Sequence, residues 1–274
     1  MNAPMNPIHP FDQATALEAC DGHSSARVSS AYFNMVGPFG GVTAATVLNA
    51  VLQHPDRQGS PVAFTLNFLG PLNAEPIELY PSLVRANRSN QHWSIELRQG
   101  DRIQCTATVV LASRMDTWDC EEITAPVAPA FEELSSLPKL PLPPWVNQYD
   151  IRFVSGSPFA GDAGHTERRP SESVVWMRDE PPRKLDFLSL TALCDAFFPR
   201  LFVRQKKMAP IGTVTLTIYF HVREEDLGAL HASQVLGHAR ANRFFGSYFD
   251  QTAEVYDVNR RLLATTTQLV YYKA

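Results

Sequence analysis

The sequence predicts an α+β protein in which one unit, a helix followed by an antiparallel sheet, occurs twice. Three observations favour this arrangement. A helical pattern precedes four strand patterns in the first half, the same order returns in the second half, and a proline-rich stretch separates the two. A single large β-sandwich would leave the two helical patterns unexplained.

The first unit begins with a helical pattern at residues 41–54. Its apolar residues form one stripe, made of Ala44, Leu48, Val51 and Leu52. Segments in which apolar and polar residues alternate follow, as expected for half-buried antiparallel strands. These segments are PVAFTLNFLG, ELYPSLVRANR, QHWSIELRQ and RIQCTATVVLA. We therefore expect one helix and then a meander of strands.

The second unit repeats this order. Residues 186–200 predict a helix whose stripe consists of Leu190, Leu193, Cys194 and Phe197. The strand patterns that follow are TVTLTIYFH, QVLGHARANR, SYFDQTAEVYDV and RLLATTTQLVYY. The two halves also match in sequence. Thr65 aligns with Thr217 at an offset of 152 (217 − 65), and Arg102 aligns with Arg261 at an offset of 159 (261 − 102). Loops of different length produce such a drift, so the pattern indicates an internal duplication.

Residues 124–144, between the units, are rich in proline, which can neither continue a helix nor donate to a strand ladder. The sequence therefore predicts an N-terminal domain at 1–120, a linker at 121–145 and a C-terminal domain at 146–274. We expect the two sheets to pair edge to edge, because this removes two exposed edges.

Composition excludes several classes of protein. The formal net charge is −4 and 45% of the residues are apolar, which argues against a nucleic-acid partner. The four cysteines form no Cys-x-x-Cys pair and the histidines show no metal-ligand spacing, so we expect packed, reduced thiols and neither metal nor cofactor. The first eleven residues lack a secretory pattern and no apolar run could span a membrane, so a cytoplasmic protein is expected.

Several short motifs carry a family resemblance. They are Gly37-Pro38-Phe39-Gly40-Gly41, Asn67-Phe68-Leu69-Gly70-Pro71-Leu72, Cys194-Asp195, Thr213 eight residues before His221, and Ala264-Thr265-Thr266-Thr267-Gln268. Together they resemble the acyl-CoA thioesterase II type of double-hotdog enzymes, over roughly residues 30–112 and 185–272. The resemblance implies a tandem hotdog, in which each antiparallel sheet wraps a long helix, and an acyl-CoA substrate.

The resemblance also implies site residues. In that family an Asp, a Thr and a Gln jointly hold the attacking water, and by position these are Asp195, Thr213 and Gln268. Backbone amides of Gly40 and Gly41, at a helix N-terminus, are candidates for binding the thioester carbonyl, although such glycines commonly serve only a turn.

A basic run, Arg200, Arg204, Lys206 and Lys207, supplies candidate contacts to the CoA phosphates, with Arg204 and Lys206 the two assigned as substrate-binding. A solvated loop is the alternative interpretation.

The residues themselves support these assignments unequally. Asp195 lies beside the predicted apolar stripe, where a solvated helical Asp is the ordinary interpretation. Gln268 falls on an inward strand face whose first-half counterpart is Val109, so it needs hydrogen-bond partners. Thr213 alternates onto the opposite face from the helix and needs a β-bulge, or a site at the junction of the halves, to join the others.

We expect hydrolysis of an acyl thioester to a free acid and CoA, with Asp195 as general base. Neither a Gly-x-Ser-x-Gly elbow nor a Cys-His signature is present. A hotdog-type hydratase or dehydratase is the second hypothesis and a non-catalytic acyl-thioester-binding module the third. The first half offers Thr43 at the place of Asp195 (195 − 152), which predicts one active site per chain. Self-association into a homo-oligomer is also expected.

Overall fold

The computed structural model describes residues 8–138, 141–159, 170–206, 208–230 and 233–273. Lys207, a member of the predicted basic run, lies outside these ranges, as do residues 1–7, 139–140, 160–169, 231–232 and 274 of the predicted domains and linker. Within the described residues, no helix is long and apolar enough to cross a membrane.

Among its described residues, the first half contains two α-helices and six strands. In chain order they are α1 (Pro10–Ala14), β1 (Glu18–Cys20), β2 (His23–Ala26), α2 (Gly40–Leu52), β3 (Ser60–Phe68), β4 (Ile77–Ala86), β5 (Asn90–Gln99) and β6 (Arg102–Ala112). The predicted helix and four strands correspond to α2 and β3–β6. The hairpin of β1 and β2 was not predicted.

In chain order, the elements of the second half are β7 (Tyr149–Ser155), β8 (Ser173–Asp179), α3 (Phe187–Leu193), α4 (Arg200–Gln205), β9 (Ile211–Phe220), α5 (Glu224–Ala229), β10 (Val235–Arg240), β11 (Phe244–Phe245), β12 (Tyr248–Tyr256) and β13 (Leu262–Tyr272). The second half repeats the order of α2 and β3–β6 as α3, β9, β10, β12 and β13, and it contains further elements. Strands β7 and β8 were also missed by the sequence pattern.

All strands join one antiparallel sheet. Its order is β1-β2-β4-β5-β6-β3-β9-β13-β12-β10-β8-β7, and β11 pairs with β12 at its edge. The order on one side of the β3–β9 junction mirrors the order on the other, since β6, β5 and β4 occupy the places that β13, β12 and β10 occupy. The halves therefore share a sheet without exposing an edge between them.

The junction lies on an approximate two-fold axis. Thr65 of β3 faces Thr217 of β9, and their hydroxyl oxygens are 3.1 Å apart. These two residues stand at the offset of 152 that the sequence comparison found. Each half thus presents the same strand, in the opposite direction, to the other half.

The helices depart from the prediction. Helix α2 packs against α3 and is buried on nearly all sides, from Gly41 to Val51, so its buried surface is much wider than the predicted stripe. Helix α3 ends at Leu193 and does not continue to residue 200. Phe198 precedes a proline, which disfavours helical backbone at that position. One long helix per half is therefore wrong for the second half.

The proline-rich segment packs on the second half of the sheet. Phe131 is buried in a small apolar cluster with Trp176, whose indole N–H donates to the carbonyl oxygen of Pro129 at 3.0 Å. The Arg152 guanidinium lies over the Phe131 ring at 3.9 Å. The segment is thus anchored to the sheet at Pro129 and Phe131.

The cysteines are free. Cys105 and Cys194 are buried as expected, whereas Cys20 and Cys120 are exposed and do not fit the prediction of packed thiols.

Candidate active site

Asp195 stands just beyond the end of α3. Cys194 caps the helix, and the backbone N–H of Asp195 donates to the carbonyl oxygen of Ala192 at 3.1 Å. The carboxylate of Asp195 is half-buried at the wall of a cavity of about 650 Å³. The prediction that Asp195 lies on the helix itself is therefore wrong by two residues, but the side chain still lines the cavity.

Gln268 contacts that carboxylate directly. Its Nε2 donates to Asp195 Oδ1 at 2.9 Å, and the residue is only 4% exposed. Across the strands it faces Leu216, just as Val109 faces Phe64 in the first half. The structure thus places Gln268 on the inward face, at the position equivalent to Val109, as the sequence indicated.

Thr213 reaches the same group through a β-bulge. Leu269 pairs with Thr215 and the next residue, Val270, pairs with Thr213, so Val214 is an extra residue. The extra residue reverses the alternation and brings Thr213 to the inward face. Its Oγ1 donates to Gln268 Oε1 at 3.4 Å. Strand β3 carries the matching bulge, where Pro61 occupies the place of Thr213.

The electrostatics suit a base. Burial raises the pKa of Asp195 to about 7, while hydrogen bonds from Gln268 and from the backbone N–H of Gly41 oppose the rise. A group of this pKa can take up and release a proton near neutral pH. The neighbouring Cys194 is fully buried and burial raises the pKa of its thiol, so this sulfur is not a nucleophile.

Gly40 and Gly41 allow α2 to approach Asp195 and α3 closely. A Cβ on Gly40 would lie 2.7 Å from Asp195 Oδ2, and a Cβ on Gly41 would lie 2.6 Å from the carbonyl oxygen of Ala192. Gly40 lines the cavity, whereas the Gly41 N–H is directed to the Asp195 carboxylate. The expected pair of carbonyl-binding amides is therefore reduced to Gly40.

Both halves contribute to the cavity. The first half supplies Phe39, Gly40, Thr43 and Phe68, and Trp145 stacks on Phe39 with ring centroids 4.3 Å apart. Thr43 thus lines the same cavity as Asp195 and does not mark a separate, equivalent site. The rim includes exposed apolar side chains together with one lysine, namely Val36, Leu69, Tyr248, Tyr271 and Lys273.

The basic run lies elsewhere. Lys206 Nζ donates to the carbonyl oxygen of Ser157 at 2.7 Å, and Arg204 is in the last turn of α4; neither lines the cavity. Arg200 is fully buried and so cannot meet a CoA phosphate. The expected contacts of Arg204 and Lys206 with substrate therefore gain no support, and Lys273 is the lysine at the rim. A second cavity, of about 520 Å³, contains none of the predicted site residues.

Family comparison agrees with the residues that suggested the resemblance. The model for the acyl-CoA thioesterase N-terminal domain matches residues 29–115, and the model for the C-terminal domain matches residues 119–272. The chain belongs to the acyl-CoA thioesterase family. The resemblance to thioesterase II is confirmed. No curated protein matches the chain.

Solved structures place this thioesterase-family chain among hotdog folds. A conserved hotdog-fold protein of unknown function from Alicyclobacillus acidocaldarius is 41% identical, with 98% of this chain and 99% of that chain covered and a TM-score of 0.93. An acyl-CoA thioesterase II from Mycobacterium marinum is 16% identical, with coverages of 96% and 98% and a TM-score of 0.74.

A dehydratase domain from Pseudomonas fluorescens is 11% identical, with coverages of 98% and 100% and a TM-score of 0.55. Similarity at this level shows the fold alone. Among the described residues, one aspartate, Asp195, and no histidine line the cavity.

Proposed function

We propose that this protein hydrolyses acyl-CoA thioesters with a water held by Asp195, Gln268 and Thr213. The observation that supports it is the hydrogen-bonded chain from Thr213 through Gln268 to Asp195 at the cavity wall. These side chains come from a helix end and two strands, and nothing in the folding of a sheet requires polar groups to meet there. A buried amide between two partners is oriented as well as satisfied.

The proposed reaction needs no covalent intermediate. A water beside Asp195 Oδ2 gives a proton to the carboxylate as its oxygen attacks the thioester carbon. The Gly40 N–H, at the N-terminus of α2, donates to the oxygen that becomes negative. The carbon–sulfur bond then breaks, and the proton held by Asp195 passes to the departing sulfur. The products are the free acid and the thiol of CoA.

The substrate follows from the cavity. Its walls include Phe39, Phe68, Phe197 and Val270, which suit an alkyl chain. Lys273 at the rim is the cation we assign to the CoA phosphates, in place of Arg204 and Lys206. Because both halves line the cavity, substrate binding requires the tandem arrangement.

We also infer one active site per chain. The first-half counterparts of Gln268 and Thr213 are Val109 and Pro61, which can neither hold a water nor orient a base. The tandem hotdog, with domains at 1–120 and 146–274 and a linker at 121–145, remains our interpretation of the duplication. Self-association into a homo-oligomer remains an expectation, and a constant monomer mass in light scattering over a wide concentration range would refute it.

The test is release of free thiol from a panel of acyl-CoAs. Asp195→Asn preserves the shape but removes the base, so turnover should fall by about 10²–10⁴ while substrate binding changes little. Asp101→Asn, in the exposed turn between β5 and β6, is the matched control and should retain full activity. Full hydrolysis by folded Asp195→Asn would show that the base is wrong.

The same assay separates the alternatives. With 2-enoyl-CoA, a hydratase would bleach the enoyl absorbance without releasing thiol. A non-catalytic binding module would bind acyl-CoA but release no thiol above background. Either result with the wild-type protein would refute the hydrolase.

A further inference from the structure

A second glutamine lies beside Gln268 on the inward face. Gln251 of β12 pairs directly with Gln268 of β13, is 3% exposed and lines the same cavity. In the first half the equivalent cross-strand pair is Trp93 and Val109. Two adjacent apolar positions are thus both replaced by amides in the half that holds Asp195. Gln268 has partners in Asp195 and Thr213, and Gln251 needs its own explanation.

A buried arginine fixes the orientation of the Gln251 amide. Arg200 is fully buried, and its Nε donates to Gln251 Oε1 at 2.9 Å. Since a guanidinium can only donate, the oxygen of the amide must face Arg200 and the Nε2 hydrogens must face away. Other donors of Arg200 are held by neutral acceptors, among them Ser173 Oγ at 2.6 Å and the carbonyl oxygen of Ala239 at 3.2 Å. The guanidinium is therefore held in place.

The Gln251 Nε2 has no acceptor within the described part of the chain. Within the described residues, the only hydrogen bond of the Gln251 side chain is the one that its Oε1 accepts from Arg200. Gln251 lines the cavity and its Nε2 is not enclosed by protein, so a ligand in the cavity can supply the acceptor. The Arg200 cation also polarises the amide, because no carboxylate of the described residues pairs with it, and a polarised N–H is a stronger donor.

The chemistry of the substrate identifies the acceptor. Asp195 and Gln268 define where the attacking water sits, and Gln251 stands one strand spacing, about 4.8 Å, beyond Gln268. The oxygen that every acyl thioester brings next to the attacked carbon is its carbonyl oxygen. Of the two glycine amides expected to bind this oxygen, that of Gly41 is directed to Asp195 instead. The site therefore has room for a second donor besides Gly40.

We propose that Gln251 is a further catalytic residue, whose amide N–H donates to the carbonyl oxygen of the acyl thioester, and that Arg200 is the positioning residue that aims it. This inference rests on the proposed function. It assigns the two neighbouring glutamines to different tasks. Gln268 serves the water and Gln251 serves the carbonyl.

Two non-hydrolysable ligands test the assignment. One is a ketone analogue of acyl-CoA, in which a methylene replaces the thioester sulfur; the other is the hydrocarbon analogue, in which a second methylene replaces the carbonyl. The two differ only in the carbonyl group. In Gln251→Met, affinity for the ketone should fall about tenfold while affinity for the hydrocarbon is unchanged, and kcat should fall by about 10². Equal changes for both ligands, or no change for either, would overturn the proposal.

Two further variants exclude a merely structural role. Gln251→Glu keeps the acceptor for Arg200 but has no N–H, so it should remain folded and lose at least as much kcat as Gln251→Met. Wild-type turnover in this variant would refute the need for a donor. Arg200→Lys should lower the ketone-to-hydrocarbon affinity ratio without weakening the hydrocarbon, and an unchanged ratio would refute the positioning role.

The binding ratio also separates this proposal from the hydrolytic one. Asp195→Asn should lower turnover yet leave the ketone-to-hydrocarbon ratio as in the wild type. A ratio that changes in Asp195→Asn but not in Gln251→Met would overturn the assignment of Gln251. Wild-type protein that binds neither analogue would refute the proposed function, and this inference with it.

Discussion

Replacing Gly40 by alanine should disable the base without unfolding the protein. The backbone at Gly40 is ordinary helix, so alanine is permitted there. Its Cβ, however, would lie 2.7 Å from Asp195 Oδ2, whereas ordinary contacts begin at 3.4 Å. The carboxylate must therefore shift by about 0.7 Å (3.4 − 2.7), which disturbs the geometry of its 2.9 Å hydrogen bond with Gln268. Since a 1 Å displacement can cost about 10² in rate, we expect kcat to fall by about 10–10².

Gly41→Ala is the matched comparison, because the neighbouring methyl meets different atoms. It would lie 2.5 Å from the Phe39 ring and 2.6 Å from the Ala192 carbonyl oxygen, so α2 and α3 must separate. Overpacking of this kind costs about 1–3 kcal/mol of unfolding free energy, or several degrees in Tm. Thermal unfolding and thiol release, measured on both variants, should show Gly40→Ala losing mainly activity and Gly41→Ala losing mainly stability.

If Gly40→Ala hydrolyses acyl-CoA at the wild-type rate, then either Asp195 is not the base or its position is not set by α2. If Gly41→Ala shows wild-type Tm, the close approach of the two helices contributes nothing to stability.

Two further predictions concern protons. Because burial raises the pKa of Asp195 to about 7, kcat/KM of the wild type should rise with pH through about 7 and then level off. The residual rate of Asp195→Asn should not change with pH over the same range. A wild-type profile without that ionisation would contradict the role of Asp195 as the base. The folded state also binds this proton more tightly than the unfolded state, whose pKa is near 3.8, so the unfolding free energy should fall as pH rises from about 4 to about 7. Asp195→Asn removes this penalty, so at pH 8 it should be more stable than the wild type by about 2 kcal/mol, which is half of the full linkage value because the cavity side of Asp195 is solvated. At pH 4 the variant should show no gain in stability. Denaturant unfolding at both pH values measures the difference, and equal stability at pH 8 would contradict a buried charge on Asp195.

Periodicity predicted the order of the main elements, because strands with one buried face alternate visibly. Strands β3–β6 fit this case. Strand β8 did not, since its sequence, SVVWMRD, has four consecutive apolar residues and is buried on both faces, and such a run lacks the signal of alternation. The length of α3 was overestimated for a related reason. Apolar residues continue to Phe198, but they pack in an irregular segment and not in a helix.

The candidate site was partly predictable. Comparing the halves singled out Gln268, since a polar residue there replaces Val109. In the folded sheet, the same comparison identifies Gln251 as well, because it is a polar residue at the position equivalent to Trp93. For Thr213, the sequence indicated that a bulge could turn the side chain inward but did not predict that the bulge is there. An extra residue in a strand leaves no mark in the pattern of side chains.

Arg200 shows a limit of reasoning from charge. Four basic residues close together suggest a solvated face, yet Arg200 is fully buried while Arg204 and Lys206 are not. Its acceptors come from β8, β10, β12 and the loops before β8 and α4, which are up to 51 residues distant in sequence. Only the folded sheet brings them together.

The junction at Thr65 and Thr217 has a consequence for how such a protein can change over time. Two identical subunits that meet at a two-fold axis carry every substitution twice. A polar group that one copy gains is therefore also present in the other copy. A fused chain is released from that rule. Here one copy could acquire an aspartate, a threonine, two glutamines and a buried arginine, while the other has proline, tryptophan and valine at the sheet positions of the threonine and the two glutamines. Covalent linkage thus allows the side chains that we propose for catalysis to lie in one half, while both halves still line the same cavity.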